Sequence, residues 1–368
     1  MAGMKTTPLY EEHKRRGANF TEFAGYQMPL LYTSIKDESM AVRNVCGVFD
    51  ISHMGRIWIE GPNTKLELNK LVTSNLASLE AGKAIYTLIC NERGGIIDDL
   101  ILYCNNDNMF FAVVNAARRD VDIQWLSEHL PDTVHISDIS NESSLIAFQG
   151  PKASELLQKV VPDSVEFPRY FCHGMVSVNL DSNQNIEVFL ARTGYTGEDG
   201  FEIVVDNDNA VRLWNKLLEL GATPCGLGAR DLLRLEAGLR LYGQDMDENT
   251  TPYEAGLGWT VNLDKDQFIG KDVLEQVKTE GPIRKLVGLV VSGKQIARHG
   301  NRVWKDEQDV GFITSGGYSF FLGESIAMAY LPATIAKPGD NVFVNIRQGF
   351  VQSEVVRLPF YRGSAGKL

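Results

Sequence analysis

The stretch Arg192-Thr193-Gly194-Tyr195-Thr196-Gly197-Glu198-Asp199-Gly200-Phe201-Glu202-Ile203-Val204-Val205 joins a glycine-rich hairpin turn to a strand carrying one carboxylate. Phe201, Ile203 and Val205 alternate as a half-buried strand requires. Glu202 therefore points to the opposite face, beside Val204. A carboxylate there either faces water or needs a partner rich in hydrogen-bond donors, because an unpaired buried charge is costly. This segment alone leaves both readings open.

Outward from that strand the chain falls into two parts. Thr7-Pro8 opens a short helix that Gly17 closes, and Ser34 caps a second helix running to roughly Cys46, before Gly47. Ile57-Trp58-Ile59-Glu60 enters Gly61-Pro62 and a helix reaching Val72; Ile146-Ala147-Phe148-Gln149 enters Gly150-Pro151 and a helix reaching Val161. The two steps suggest an echo of duplicated strand–helix units. Between them, Ile96 to Tyr103 and Met109 to Val114 read as adjacent strands with their turn at Asn105 to Asn108. Strand and helix signals alternate irregularly to about Asn262, which fits an α+β layer arrangement better than a regular doubly wound sheet. Glu280-Gly281-Pro282 then marks a boundary. Beyond it Leu286–Val291, Val310–Thr314, Ile326–Tyr330, Val342–Ile346 and Val351–Arg357 all read as strands, the pattern of a small barrel or sandwich.

Composition narrows the function. The 368 residues carry a net charge of −11, which argues against a general nucleic-acid binder, although a few arginines in one cleft can still attract an anion. No apolar run is long enough to span a bilayer, and the first residues lack the pattern of a leader peptide, so the cytoplasm is the expected location. The five cysteines and six histidines are scattered without metal-ligand spacing, so chemistry without a bound metal is expected. His53 reads as a hydrogen-bonded structural histidine.

Three further segments carry candidate chemistry. Asp98 and Asp99 interrupt the apolar run Ile96-Ile97-Asp98-Asp99-Leu100-Ile101, and strand alternation lets at most one enter a given cleft. Alternatively both cap the turn left by Gly94-Gly95. In Gly226-Leu227-Gly228-Ala229-Arg230-Asp231, a helix begins whose stripe Leu232, Leu235, Leu239 and Tyr242 ends at Gly243. Arg230 in the first turn opposes the helix dipole, so it either shares the site with an anion or pairs with Glu236 or Asp231. Last, Leu358-Pro359-Phe360-Tyr361-Arg362-Gly363-Ser364 sets an arginine among aromatics, where it can hold a carboxylate or remain solvated.

Taken with Phe49-Asp50-Ile51-Ser52-His53-Met54 and Tyr242-Gly243-Gln244-Asp245, these motifs resemble the T-protein of the glycine cleavage system, an aminomethyltransferase. The likeness runs from Thr7-Pro8-Leu9 to Tyr361-Arg362-Gly363-Ser364. It implies a multidomain α+β cloverleaf around a central folate site, closed by an all-β, barrel or jelly-roll-like C-terminal domain. The expected division is a body at 1–280, with one domain of roughly 55–140 inserted in another, and a barrel at 283–368. It also implies tetrahydrofolate as acceptor substrate and the lipoylated H-protein as partner, with 5,10-methylenetetrahydrofolate, ammonia and the dihydrolipoyl arm as products.

By the same resemblance Asp99 is the catalytic carboxylate beside folate N10 and Glu202 binds the pterin. Arg230 and Arg362 line the cleft, with Tyr86, Asn115, Tyr170, Tyr195 and Tyr242 around them and Met54 as an apolar wall. Residue chemistry agrees: a carboxylate matches the adjacent N–H donors of a pterin with two parallel bonds, and arginines suit the anionic glutamyl tail. Two rivals keep the folate site, namely a folate-dependent demethylase acting on a small methyl donor and a non-enzymatic folate-binding assembly factor. Against the second, Gly194-Tyr195-Thr196-Gly197-Glu198 stands where such factors carry a Lys-Gly-Cys-Tyr-type motif.

Overall fold

A computed structural model describes residues 3–162, 167–181, 184–347 and 349–367. Two large sheets build the body. The first has six strands in the order His173–Asp181, Gln184–Ala191, Gly200–Asp206, Ser143–Gln149, Gly47–Asp50 and Thr223–Pro224. The second has five, in the order Ala84–Cys90, Ile96–Asn106, Met109–Val114, Gly55–Glu60 and His135–Asp138. A small three-stranded sheet gathers Lys5–Thr6, Tyr26–Leu31 and Asn19–Phe23. The C-terminal strands close into a six-stranded barrel, in the order Arg284–Val291, Glu324–Pro332, Gln308–Ser319, Arg302–Lys305, Asn341–Ile346 and Gly349–Val356. Closure leaves no unpaired strand edge. The fold is α+β with an all-β C-terminal barrel. The sequence reading lacked one barrel strand, Arg302–Lys305, whose four residues are too few to display alternation.

The strand Gly200–Asp206 lies inside the first sheet, pairing with Ser143–Gln149 on one side and Gln184–Ala191 on the other. Phe201, Ile203 and Val205 enter a core with Leu213, Trp214 and Leu217 of the helix Asn207–Glu219. Asp206 starts that helix by accepting the Asn209 backbone N–H. The other face is covered too: Val204 packs on a core of Phe49, Tyr103, Phe111 and Phe189, drawn from both large sheets. Half-burial was therefore the wrong expectation, since both faces are dry. Glu202 is only 5% exposed, which removes its water-facing reading.

The two Gly-Pro steps share one geometry. Gly61 has φ 155° and Gly150 has φ 151°, and an added Cβ would overlap the carbonyl oxygen of Thr133 or Val45 respectively. Only glycine allows that approach in that conformation. Of the helices that follow, Thr64–Asn69 stops short of the expected Val72, while Ala153–Leu157 runs on as a 3-10 turn, Gln158–Val160, to the expected end at Val161. The helix Leu227–Glu236 also stops early, because Gly238 at φ 64° turns the chain. Leu239 and Tyr242 consequently leave the helical stripe.

One buried cation ties these parts together. Arg43, on the helix Ile35–Asn44, donates to Glu236 Oε2 at 2.7 and 2.9 Å and to Glu198 Oε1 at 2.8 Å. Ser319 of the barrel donates to Glu236 Oε1 at 2.6 Å, and Ser364 of the C-terminal tail donates to Glu198 Oε2 at 2.7 Å. Removing the cation leaves two buried carboxylates facing each other without compensation. Arg43→Met should lower the unfolding free energy by about 3–5 kcal/mol in denaturant titration. A loss under about 1 kcal/mol, the range of an exposed pair, would refute this role.

Candidate active site

Asp99 sits on the strand Ile96–Asn106, opposite Leu88 of the neighbouring strand. Tyr86 on that neighbour donates its hydroxyl to Asp99 Oδ2 at 3.0 Å, and the Asn115 side-chain amide donates to Asp99 Oδ1 at 2.8 Å. Asp99 is partly exposed yet surrounded by protein. Burial, then the neighbouring Asp98, push its pKa up to about 7, against the pull of the two hydrogen bonds. A group that titrates near neutrality can both take and return a proton. The turn-capping reading of the two aspartates fails: Asn91 Oδ1 does that work, accepting the Arg93 and Gly95 N–H groups at 3.0 Å each.

Glu202 meets a different environment. Its Oε2 accepts from Thr193 Oγ1 at 2.6 Å and from the Tyr103 hydroxyl at 3.4 Å. Oε1 accepts no hydrogen bond among the described residues. One oxygen is held by the protein and the other remains open to a donor from outside. Tyr170 packs its ring on Phe171, and burial followed by the charges of Asp199 and Glu202 raises the pKa of its hydroxyl.

Arg230 enters through the glycine pair. An added Cβ at Gly226 would overlap the Leu30 carbonyl, so only glycine lets the helix begin there. The guanidinium lies 4.8 Å from the Tyr195 ring centroid, a cation–π distance, and its Nη2 sits 3.8 Å from Met54 Sδ. It pairs with neither candidate acid. Asp231 bonds Arg234 at 2.8 Å, and Glu236 bonds Arg43. Arg230 Nη1 is buried without a hydrogen-bond partner among the described residues, and so is His53 Nδ1 nearby. His53 is therefore not the hydrogen-bonded histidine expected: its ring packs edge-on at 5.5 Å from Phe23, and burial, then Arg230, hold its pKa down to about 3.

These clusters face one another. Tyr195 donates its hydroxyl to the Arg240 carbonyl and lies in the fields of both Asp99 and Arg230; Arg230 in turn lies in the field of Glu202. Tyr242 donates to the Ile96 carbonyl at 3.0 Å beneath the Arg118 guanidinium. Arg362 is the exception. It is exposed, and its guanidinium has no hydrogen-bond or ion-pair partner among the described residues, although Tyr361 N–H to Glu236 O at 2.8 Å and the Ser364–Glu198 bond fix the chain on either side. Sequence reading missed Trp259, 71% exposed and stacked on Tyr86 at 5.8 Å, as well as Tyr103, which no local motif marks. Thr193 was within reach, being part of the glycine-rich motif. Two surface hollows, about 520 Å³ beside Glu60 and His135 and about 400 Å³ beside Lys159 and Lys216, contain none of these residues.

Comparison with known proteins identifies the family. The GCVT N-terminal domain family matches residues 9–265, and the glycine cleavage T-protein C-terminal barrel domain matches residues 284–362. The chain belongs to the glycine cleavage T-protein family. An aminomethyltransferase of Thermotoga sp. (strain RQ2) is 48% identical, covering 98% of this chain and 99% of its own length. That of Halothermothrix orenii is 44% identical over 97% of this chain and all of its own. A crystal structure of glycine cleavage system aminomethyltransferase T from Bartonella henselae superposes with a TM-score of 0.90 at 35% identity, covering 98% of both chains. This T-protein family member is thus an aminomethyltransferase by relationship over its whole length. Among the described residues no group of three His, Cys, Asp or Glu side chains could hold a metal ion, and no helix is long and apolar enough to cross a membrane.

The raised Asp99 pKa carries a stability consequence. Its folded pKa of about 7 exceeds the ordinary 3.8, so the folded chain binds the proton more tightly. That contribution is complete at low pH and is lost as pH rises towards 7. Asp99→Asn removes the loss and should melt above the parent at about pH 8, with the gap closing near pH 4. Identical melting curves at both pH values would show that Asp99 titrates like an ordinary aspartate.

Proposed function

We propose that the chain acts in the cytoplasm, taking the aminomethyl carbon from the lipoyl arm of the H-protein and passing it to tetrahydrofolate. The products are 5,10-methylenetetrahydrofolate, ammonia and the dihydrolipoyl arm. The observation carrying this reading is the pairing of two acids in unlike settings: Asp99 titrates near neutrality, while Glu202 keeps one oxygen open beside an unpartnered Arg230 nitrogen.

In this reading Glu202 Oε1 accepts the adjacent N–H groups of the pterin as charge-assisted bonds, while Thr193 and Tyr103 hold Oε2. The Arg230 cation and the Tyr195, Tyr86 and Tyr170 rings bound the flat folate, with Met54 as an apolar wall and Tyr242 beside the strand that carries Asp99. Asn115 orients Asp99, and Arg362 is assigned to the glutamyl tail, where an exposed, unpaired guanidinium fits an anion. Two carbon–nitrogen bonds to folate form while the carbon–sulfur bond and the amine's carbon–nitrogen bond break. The two folate N–H protons leave, one ending on the sulfur and one on ammonia. Ionised Asp99 accepts the N10 proton as that bond forms and stabilises the positive charge that develops. Holding the nitrogen and the aminomethyl carbon at near-attack distance supplies much of the rate. The same reading divides the chain into a body at 1–280, with a unit of roughly 55–140 inserted, and a barrel at 283–368. The separate sheets and the two family matches support that division.

Purified protein given aminomethyl-loaded H-protein and tetrahydrofolate should release ammonia. No ammonia there, with turnover on a small methyl donor, would establish the demethylase instead. Asp99→Asn should nearly abolish methylenetetrahydrofolate formation while folate still binds. Glu202→Ala should weaken folate binding by about 1.5–3 kcal/mol in calorimetry. Unchanged affinity would take Glu202 out of the site.

A further inference from the structure

Behind Asp99 lies a second pair of acids that the reaction does not use. Asp98 and Asp122 are both fully buried, Asp122 coming from the helix Arg119–His129 that follows Asn115. Both Asp122 oxygens are buried without a hydrogen-bond partner among the described residues, and the two carboxyl groups are close enough for each to shift the titration of the other. Carboxylates carry no donor, so two of them bond only when one holds a proton. We infer that Asp98 and Asp122 share one proton and together fix the Asn115 carboxamide, which makes Asp98 a positioning residue for Asp99.

Asn115 is the hinge of this arrangement. Its backbone N–H donates to Asp98 Oδ2 at 3.2 Å, and its side-chain Nδ2 donates to Asp98 Oδ1 at 2.9 Å, Asp99 Oδ1 at 2.8 Å and Asp99 O at 3.1 Å. All three side-chain partners are acceptors, so the amide nitrogen faces the aspartates. Asp98 thus sets the rotation of the group that holds one oxygen of Asp99; Tyr86 holds the other.

The surrounding charges decide where the proton sits. Arg118, at the start of the helix bearing Asp122, favours the anion on Asp122. Arg118 itself pairs with Glu248 at 2.6 Å and stacks on Tyr242, while Asp99 and Tyr86 complete the titratable groups around the pair. The proton therefore rests on Asp98, the nearer acid to Asp99. After burial, the part of the shared charge that stays on Asp98 helps to raise the Asp99 pKa to about 7, and a full charge there would hold Asp99 in its protonated, unreactive form.

The kinetic test rests on Asp99 being the reacting carboxylate, so Asp99→Asn is its control. Full activity in that variant would sink the site reading and leave the proton-sharing pair to be judged by spectroscopy. In the aminomethyl-transfer assay, Asp98→Ala should lower kcat on the order of 100-fold with KM for tetrahydrofolate little changed. Asp98→Asn keeps a donor for Asp122 and an acceptor for Asn115, and should recover most of that loss. Asp122→Asn leaves the charge on Asp98 and should move the acidic limb of kcat upward by about one pH unit. Independently of activity, an infrared band of a protonated carboxyl should persist in Asp99→Asn at a pH where ordinary aspartates are ionised. It should vanish in Asp99→Asn/Asp98→Asn. Absence of the band, parental kinetics in Asp98→Ala, or an Asp98→Asn no better than Asp98→Ala would each overturn the inference.

Discussion

The molecule depends on keeping Arg43 paired. Its guanidinium holds Glu198 of the glycine-rich loop and Glu236 at the end of the helix that carries Arg230. Through the outer oxygens of those two acids it also reaches Ser319 in the barrel and Ser364 in the tail. Four segments far apart in sequence thus converge on one dry cation. The interaction has little tolerance, because a buried charge that loses a partner cannot recruit water. A second buried cluster, Arg234 with Asp245 at 2.6 Å and Ser315 at 2.8 Å, fastens the same helix to the barrel. The barrel is therefore clamped to the body by polar contacts as well as by apolar packing, and the residues flanking Arg362 are held by the first of these clusters.

That rigidity explains how two carboxylates acquire different chemistry. Asp99 sits among groups that disfavour its anion, namely low-dielectric protein and a neighbouring acid, and so becomes available for proton transfer. Glu202 is anchored through one oxygen by Thr193 and Tyr103, a geometry suited to binding rather than to exchanging protons. Separate environments for two like groups are how a fold assigns acid–base and binding roles. Arg230 adds the complementary feature, a cation with one buried nitrogen and no ion-pair partner among the described residues, which is costly unless a ligand meets it.

Much of the architecture was legible because its signals are local. Ser34 caps its helix as expected, accepting the Asp37 N–H, and the strand pair around Asn105 to Asn108 forms where the apolar runs and turn residues place it. The barrel strands announced themselves by alternation and by Gly-Pro punctuation. What failed was the extent of helices: Gly238 ends one before its apolar stripe does, because a positive φ outweighs periodicity. Burial was also misjudged at Gly200–Asp206, since alternation cannot reveal that a second sheet covers the polar face.

The chain's own order of residues determined the α+β body, the all-β end, the family, and which side chains had the right chemistry. Those properties follow from short-range periodicity, turn preference and motif spacing. Only the folded arrangement decided which candidates act together. Sequence spacing could not show that Tyr86 and Asn115 grip Asp99, that Tyr103 reaches Glu202, or that Arg230 ignores both acids on its own helix. Nor could it show that Asp98 finds Asp122. Each of these depends on contacts between separate strands and helices, and on the loss of water between them, which no local pattern encodes.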